Sequence, residues 1–248
     1  MNIKTMLDYT GQILQIDRFR DYCPNGLQIE GRQEIRHIVS GVSASMALLE
    51  AAQAAGADMI LVHHGYFWRN EAPQITGLRR QRIRYLLSHD LNLVAYHLPL
   101  DQHAELGNNA QLASLLGLQL EGWSGSDAMV AYGTIDQPLS LRVLGKRVET
   151  RLGRAPLLIG QPEKQIQRIA WCTGAAQQYI ETAIELGVDA FISGEVSEQT
   201  FHLARESGVA YIAAGHHATE RYGVQALGAH LAERYGLTHT FIDIENPV

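Results

Sequence analysis

The feature of this sequence that most constrains its fold is a repeated order of predicted strands and helices. A β-branched apolar run at 35–42, a helix at 43–55 and a second apolar run at 57–62 form the first block. A second block begins at 172 and places a strand at 190–193 in register with the end of the 57–62 run. Strands that alternate with helices indicate an α/β fold with a mostly parallel sheet.

The repeat continues downstream and divides the chain into two parts. The matched segments are 79–88 with 198–206, 93–96 with 209–214, and 107–118 with 223–237. We therefore predict two similar three-layer α/β halves related by internal duplication, 1–123 and 124–248, joined near a small-residue linker at 123–126. The pattern leaves open whether the last strand, at 240–244, pairs with its own half or returns to the first.

The composition excludes several classes of protein. With 46% hydrophobic and 19% charged residues, the 248-residue chain is globular rather than disordered. Two cysteines, Cys23 and Cys172, cannot form a disulfide framework or a four-cysteine zinc site. The net charge of −6 argues against nucleic acid as a partner. The sequence shows no membrane-span or signal-peptide pattern, so we expect a cytoplasmic protein.

Histidines are the main candidates for chemistry, because three groups of them follow predicted strands. His63-His64, His97 and His216-His217 each come directly after a strand. In open α/β sheets, ligands bind outside the carboxyl ends of the strands. These groups therefore lie at the functional edge of the sheet by position alone. The alternative is that they are structural or surface histidines without a metal. We expect that role for His37, His89, His202, His230 and His239.

Two of the groups have a carboxylate four residues further on. His97 precedes Asp101 and His216 precedes Glu220, at equivalent positions of the repeat. A mixed set of imidazoles and carboxylates suits zinc, iron, manganese, cobalt or nickel. The candidate ligands are His63, His64, His97, Asp101, His216 and Glu220. This set exceeds the three protein ligands of a usual catalytic zinc, so we expect two divalent ions per chain.

Other side chains are candidates for roles beside the metal. Glu195 aligns with His64, and it is either a general base or a carboxylate that orients a histidine. His217 and His103 would flank the site. The function we expect is hydrolysis by metal-activated water, with Glu195 or His217 moving protons. The alternative is a non-enzymatic metal-binding or regulatory oligomeric scaffold.

The sequence also closely resembles a known family, the GTP cyclohydrolase I type 2 homologues, nearly from end to end. The segments that carry the resemblance are DYCPNGLQIEG (21–31), VHHGYFW (62–68), HLPLDQHAELGNNAQLA (97–113), RIAWCTGAAQ (168–177), DAFISGEVSEQT (189–200) and AAGHHATERYG (213–223). The resemblance implies two α/β domains with a dinuclear metal site in the cleft between them. The ligands that it implies match His63, His64, Asp101, His216 and Glu220, with His97 as a sixth. It also implies a toroidal homohexamer and a nucleotide as the small-molecule substrate.

Overall fold

In a computed structural model, which describes residues 1–125 and 128–248, the chain folds into two units. The first contains residues 1–107 and 223–245, and the second contains residues 108–222 and 246–248. The helices of the described residues are α1 (Ile3–Leu14), α2 (Met46–Ala54), α3 (Gly77–Ser88), α4 (Leu98–Gln102), α5 (Asn108–Leu116), α6 (Leu141–Leu152), α7 (Ile180–Glu185), α8 (Glu198–Ser207) and α9 (His216–Tyr235). The strands are β1 (Gly26–Ile29), β2 (His37–Ser43), β3 (Met59–His64), β4 (Asn92–Ala95), β5 (Leu118–Ser124), β6 (Val130–Ser140), β7 (Leu157–Ile159), β8 (Gln165–Cys172), β9 (Ala190–Ser193), β10 (Ala210–Ala213) and β11 (Thr238–Phe241).

The first unit is a sheet of order β1-β4-β3-β2-β11 that is covered on both faces. Ile60 and Val62 of β3 pack with side chains of α2 and α3, whereas Met59 and Leu61 pack with side chains of α1 and α9. Successive side chains of a strand point to opposite faces, so burial of both faces explains why this strand is a continuous apolar run. β2, β3, β4 and β11 run parallel, and β1 is antiparallel to β4.

The second unit is a sheet of order β5-β6-β8-β9-β10-β7, with β8, β9 and β10 parallel. Ile192 and Ile212 belong to a core cluster with side chains of α5 and α6. Phe191 and Tyr211 alternate with them along the strands and therefore face the opposite side, where their rings meet edge to face at 5.7 Å. The parallel order β10-β9-β8 corresponds to β4-β3-β2 of the first unit, which agrees with the predicted duplication.

The bounds of the two units differ from the predicted halves 1–123 and 124–248. The helix and strand that end the first half, α5 and β5, belong to the second unit, while β11 pairs with β2 of the first unit. The last strand thus returns to the first sheet, one of the two alternatives left open. Trp123 and Ser124 end β5 rather than forming a linker, and Ser126 lies outside the described residues. The structure describes no helix that is long and apolar enough to cross a membrane.

Candidate metal centre

The three candidate histidines of the first unit lie together at the carboxyl ends of β3 and β4. The ring centroids of His63 and His64 are 4.6 Å apart, and that of His97 lies 5.0 Å from His63 and 5.8 Å from His64. One nitrogen from each ring lies within 4.8 Å of the others. Because β3 and β4 are adjacent and parallel, the residues that follow them share one edge of the sheet. The predicted grouping of these residues is therefore present in the structure.

Asp101 brings a carboxylate to the same group of side chains. It lies in α4, is only 6% exposed, and its Oδ1 is 3.4 Å from Nε2 of His63. Ionised carboxylates are seldom buried to this extent unless a cation or a hydrogen-bond donor faces them. Three imidazoles and one buried carboxylate form a donor set that suits a divalent transition metal or zinc.

In each of these imidazoles Nδ1 has a hydrogen-bond partner. His63 Nδ1 donates to the carbonyl of Tyr96 (2.9 Å), and His64 Nδ1 is hydrogen-bonded with the hydroxyl of Ser43 (3.0 Å). His97 Nδ1 donates to Oδ1 of Asp21 (2.7 Å). Histidines that bind a metal usually bond their second ring nitrogen to the protein in this way, which fixes the tautomer and the ring orientation. Nε2 is then the nitrogen suited to a metal ion.

Asp21 is a site residue that the sequence analysis missed. Besides His97, its carboxylate accepts hydrogen bonds from the backbone of Tyr22 (2.6 Å) and Leu98 (2.9 Å) and from the side chain of Asn25 (2.8 Å). Burial alone would raise the pKa of Asp21, but the hydrogen bond and charge of His97, with the other donors, lower it below the ordinary value. No local sequence pattern connects Asp21 with His97, which lies 76 residues later in the chain.

The second unit carries a histidine–carboxylate pair at the start of α9. His216 Nε2 is 3.0 Å from Oε2 of Glu220, one helical turn later, and Glu220 is 3% exposed. His216 Nδ1 donates to Oε1 of Glu195 at 2.7 Å. Burial lowers the pKa of His216, but the hydrogen bonds and charges of Glu220 and Glu195 outweigh it and raise that pKa to about 9. Glu195 thus stands where a histidine-orienting carboxylate would, and its role as a general base stays a prediction.

Glycines after β8 and β9 leave room for these side chains. A Cβ on Gly174, whose φ is +70°, would lie 2.0 Å from Oε1 of Glu220 and 3.2 Å from Nε2 of His216. A Cβ on Gly194 would lie 2.6 Å from the Cα of His216. Both glycines therefore permit a close approach that a larger residue would prevent. The two loops can therefore pack closely against His216 and Glu220.

The remaining predicted residues have other surroundings. His217 is 8% exposed, and its backbone N–H donates to the carbonyl of Val248 at 3.0 Å. Nδ1 of His103 accepts from the backbone N–H groups of Glu105 (3.2 Å) and Leu106 (3.0 Å). Burial lowers the pKa of His103. Flanking roles for these two histidines stay predictions. Trp68 packs its ring 5.0 Å from that of His97, so an aromatic side chain borders the first group.

The chain is similar to known proteins over nearly its whole length. A model of the family Duf34/NIF3 (NGG1p interacting factor 3) matches residues 1–247. The "GTP cyclohydrolase 1 type 2 homolog" of Pseudomonas aeruginosa is 53% identical over 99% of this chain and 98% of the relative. The protein of the same name from Yersinia pestis is 57% identical over 94% of each chain.

Solved structures show the same fold. A protein described as "protein ybgI, unknown function" has a TM-score of 0.97 and 50% identity, with 100% of both chains covered. TTHA1606 from Thermus thermophilus has a TM-score of 0.89 and 32% identity, also over 100% of both chains. These matches confirm the resemblance that the sequence motifs indicated. The chain therefore belongs to the Duf34/NIF3 (NGG1p interacting factor 3) family.

Proposed function

We propose that this protein is a hydrolase that uses two divalent metal ions per chain and acts on a small-molecule substrate. The main support for the proposal is the hydrogen bonding of the four candidate histidines. Each has Nδ1 hydrogen-bonded to a protein oxygen, and in each unit a buried carboxylate lies within 3.4 Å of an Nε2. An ordinary buried histidine needs only one hydrogen-bond partner. Here the Nδ1 hydrogen bonds fix the orientation of several rings and leave Nε2 as the nitrogen suited to a metal ion.

Each unit has its own set of candidate ligands. His63, His64, His97 and Asp101 form the set of the first unit, and His216 and Glu220 form that of the second. When bound, the ions would lower the pKa of a coordinated water and polarise the substrate.

Glu195 would keep a proton on Nδ1 of His216, so that the lone pair of Nε2 stays available to bind a metal ion. The carboxylate of Asp21 does the same for His97. His217 is adjacent to His216 in the chain and is the first candidate for moving a proton to or from the substrate. Trp68 would shield the His97 side of the first set from water.

The substrate class follows from the relatives. Their name, "GTP cyclohydrolase 1 type 2 homolog", makes hydrolytic ring opening of a purine nucleotide the first reaction to test. Phosphoester and amide hydrolysis are the other reactions that such a metal pair supports. The proposal includes assembly of the chain into a homohexamer, as the family resemblance implies. Light scattering would then report six chains of 27.5 kDa per particle.

Hydrolysis of a metabolite panel that includes GTP tests the proposal. We expect turnover by metal-loaded wild-type protein, and loss of at least about 100-fold in Asp101→Asn and Glu220→Gln, since each removes a ligand charge. Glu198→Gln, an exposed carboxylate of α8, is the matched control and should keep full activity.

Turnover that survives Glu220→Gln would contradict the proposal, because it would come from a contaminant. Stoichiometric metal binding without turnover of any substrate on the panel would favour the non-enzymatic alternative, a metal-binding or regulatory scaffold.

A further inference from the structure

Arg154 lies in a loop that the sequence analysis did not connect with the metal. Its loop follows α6 and leads into β7, which pairs antiparallel with β10 so that Leu157 faces Ala213. Because the strands run in opposite directions, the residues just before β7 lie beside those just after β10. Gly215 and His216 are those residues, so Arg154 reaches the same edge of the sheet as the His216–Glu220 pair.

The guanidinium of Arg154 is seated against Gly215. A Cβ built on Gly215 would lie 2.0 Å from Nη1 of Arg154 and 3.0 Å from Cζ, and the φ of Gly215 is +102°. Any residue other than glycine would therefore be strained at this position and would displace the guanidinium. The close packing holds the charged guanidinium against Gly215, the residue that precedes the candidate metal ligand His216 in the chain.

One nitrogen of this half-buried side chain lacks a partner among the described residues. Nη1 of Arg154 is buried, and within residues 1–125 and 128–248 it has no hydrogen-bond partner. Two other arginines, Arg79 and Arg221, each donate to a backbone carbonyl, that of Ala72 (2.6 Å) and that of Leu152 (2.5 Å). An arginine is always charged, and a buried N–H donor without an acceptor is costly.

The first unit shows what the equivalent loop does. There β1 pairs antiparallel with β4, as β7 does with β10, and the loop before β1 brings Asp21 to His97. In the second unit Glu195, which follows β9, already fills that role for His216. The loop before β7 brings a cation instead. The duplication thus places a positive group where the other copy has a carboxylate that serves a metal ligand.

We propose that Arg154 binds an oxyanion, a phosphate or carboxylate group of the molecule that the His216–Glu220 pair acts on. This inference rests on the proposed function for the identity of that molecule, but not for the binding of the anion. The planar guanidinium matches both anions through paired N–H donors. Binding would supply Nη1 with its missing acceptor and would orient the substrate toward the candidate ligands.

Calorimetric titration with inorganic phosphate, on metal-free and on metal-loaded protein, tests the inference, and titration with succinate distinguishes carboxylate from phosphate. We expect Arg154→Gln to weaken the preferred anion about 10- to 100-fold in both forms, and Arg154→Lys to weaken it less, because lysine keeps the charge but not the fork. Arg151→Gln makes the same change of charge at an exposed position three residues earlier, and it should bind like the wild type.

Metal content measured on the same samples separates this inference from the proposed function. Equal anion affinity in wild-type protein and Arg154→Gln, or no binding of either anion by the wild type, would overturn the role of Arg154 even if two metals are bound. Absence of metal would overturn the proposed function, while a loss of anion binding in metal-free Arg154→Gln would still support the role of Arg154. Circular dichroism shows whether the variant is folded.

Discussion

Two histidines of this chain, one in each unit, are held by carboxylates from different places in the sequence. Asp21 precedes β1 and Glu195 follows β9, yet each accepts a hydrogen bond from Nδ1 of its histidine at 2.7 Å. The two copies of the duplicated unit thus reach the same local arrangement with unrelated residues. This convergence indicates that the orientation of His97 and His216 matters to the protein.

At the residue scale, Asp21→Ala should weaken metal binding by the first unit. The substitution removes the acceptor that orients His97, and loss of such outer partners typically costs about 10- to 100-fold in metal affinity. Competition with a chromophoric chelator measures the affinity. Asp17→Ala, an exposed carboxylate of the preceding turn, is the control and should leave it unchanged. Unchanged affinity in Asp21→Ala would show that His97 is not a ligand held in this way.

Gly174 combines a positive φ with close packing against Glu220. Gly174→Ala should lower the free energy of unfolding by about 1–2 kcal/mol, because of its positive φ, and should also reduce the metal content, because the new Cβ would meet Glu220.

Gly187→Ala separates the two effects of Gly174→Ala. The φ of Gly187 is +62°, but a Cβ there has nothing within 4 Å. Gly187→Ala should lose only the roughly 1–2 kcal/mol that comes from the positive φ, measured by urea unfolding, and it should keep its metal. Equal metal content in both variants would contradict the placement of Glu220 as a ligand.

The site could be predicted from the sequence where its residues share local spacing. His216 and Glu220 lie one turn apart on a helix, and His63, His64 and His97 follow strands that the apolar runs reveal. Asp21 could not be predicted, because it is 76 residues away from His97 in the chain. Their contact depends on the antiparallel pairing of β1 with β4, which no local pattern encodes.

Among the strands, β11 is one whose sequence does not specify the sheet that it joins. Its burial is intermediate, so the apolar pattern does not specify which sheet it joins. Side-chain contacts across the β2–β11 pair are specific: Ser40 bonds Nε2 of His239 at 2.7 Å, and His37 bonds the hydroxyl of Thr240 at 3.0 Å. These polar contacts at the sheet edge favour the observed pairing.

The same contacts predict that β11 loosens in acid. Burial, followed by the charge of His37, lowers the pKa of His239 below its ordinary value of 6.5. The unfolded chain therefore binds the proton more readily, and the strand loses stability as the pH falls below about 6.5. Protection factors of the β11 amides from hydrogen exchange should fall between pH 7.5 and 5.5.

His239→Gln tests whether His239 causes that change. The variant should lose most of the pH dependence of β11 protection, whereas His202→Gln, at an exposed position of α8, should retain it. Protection that stays constant with pH in the wild type would show that His239 does not control the pairing of β11.

For the whole molecule, the repeat predicted the α/β fold class and two similar units but not the bounds of those units. The segment 107–118, which the repeat matches with 223–237, contains α5, whose alanine- and leucine-rich stretch ends at a glycine. Its membership of the second unit was not predicted, since similar packing faces on duplicated helices do not specify which sheet they cover. The pairings of β5 with β6 and of β11 with β2 specify it.

Bound metal should also stabilise the whole molecule. Binding to the folded chain alone adds about 2.7 kcal/mol per site when the free ion is at 100 times its dissociation constant. Chelation should therefore lower the midpoint of thermal unfolding, and the same treatment of Asp101→Asn should lower it by less. Equal midpoints for loaded and chelated wild-type protein would contradict metal binding by the folded state.

Metal content per chain is the decisive measurement for metal binding by the two ligand sets. Elemental analysis of freshly purified protein should give about two divalent ions per chain, as two ligand sets require. Asp101→Asn and Glu220→Gln should each lower that number, and Glu198→Gln should keep it. Traces well below one ion per chain that neither Asp101→Asn nor Glu220→Gln changes would contradict the account.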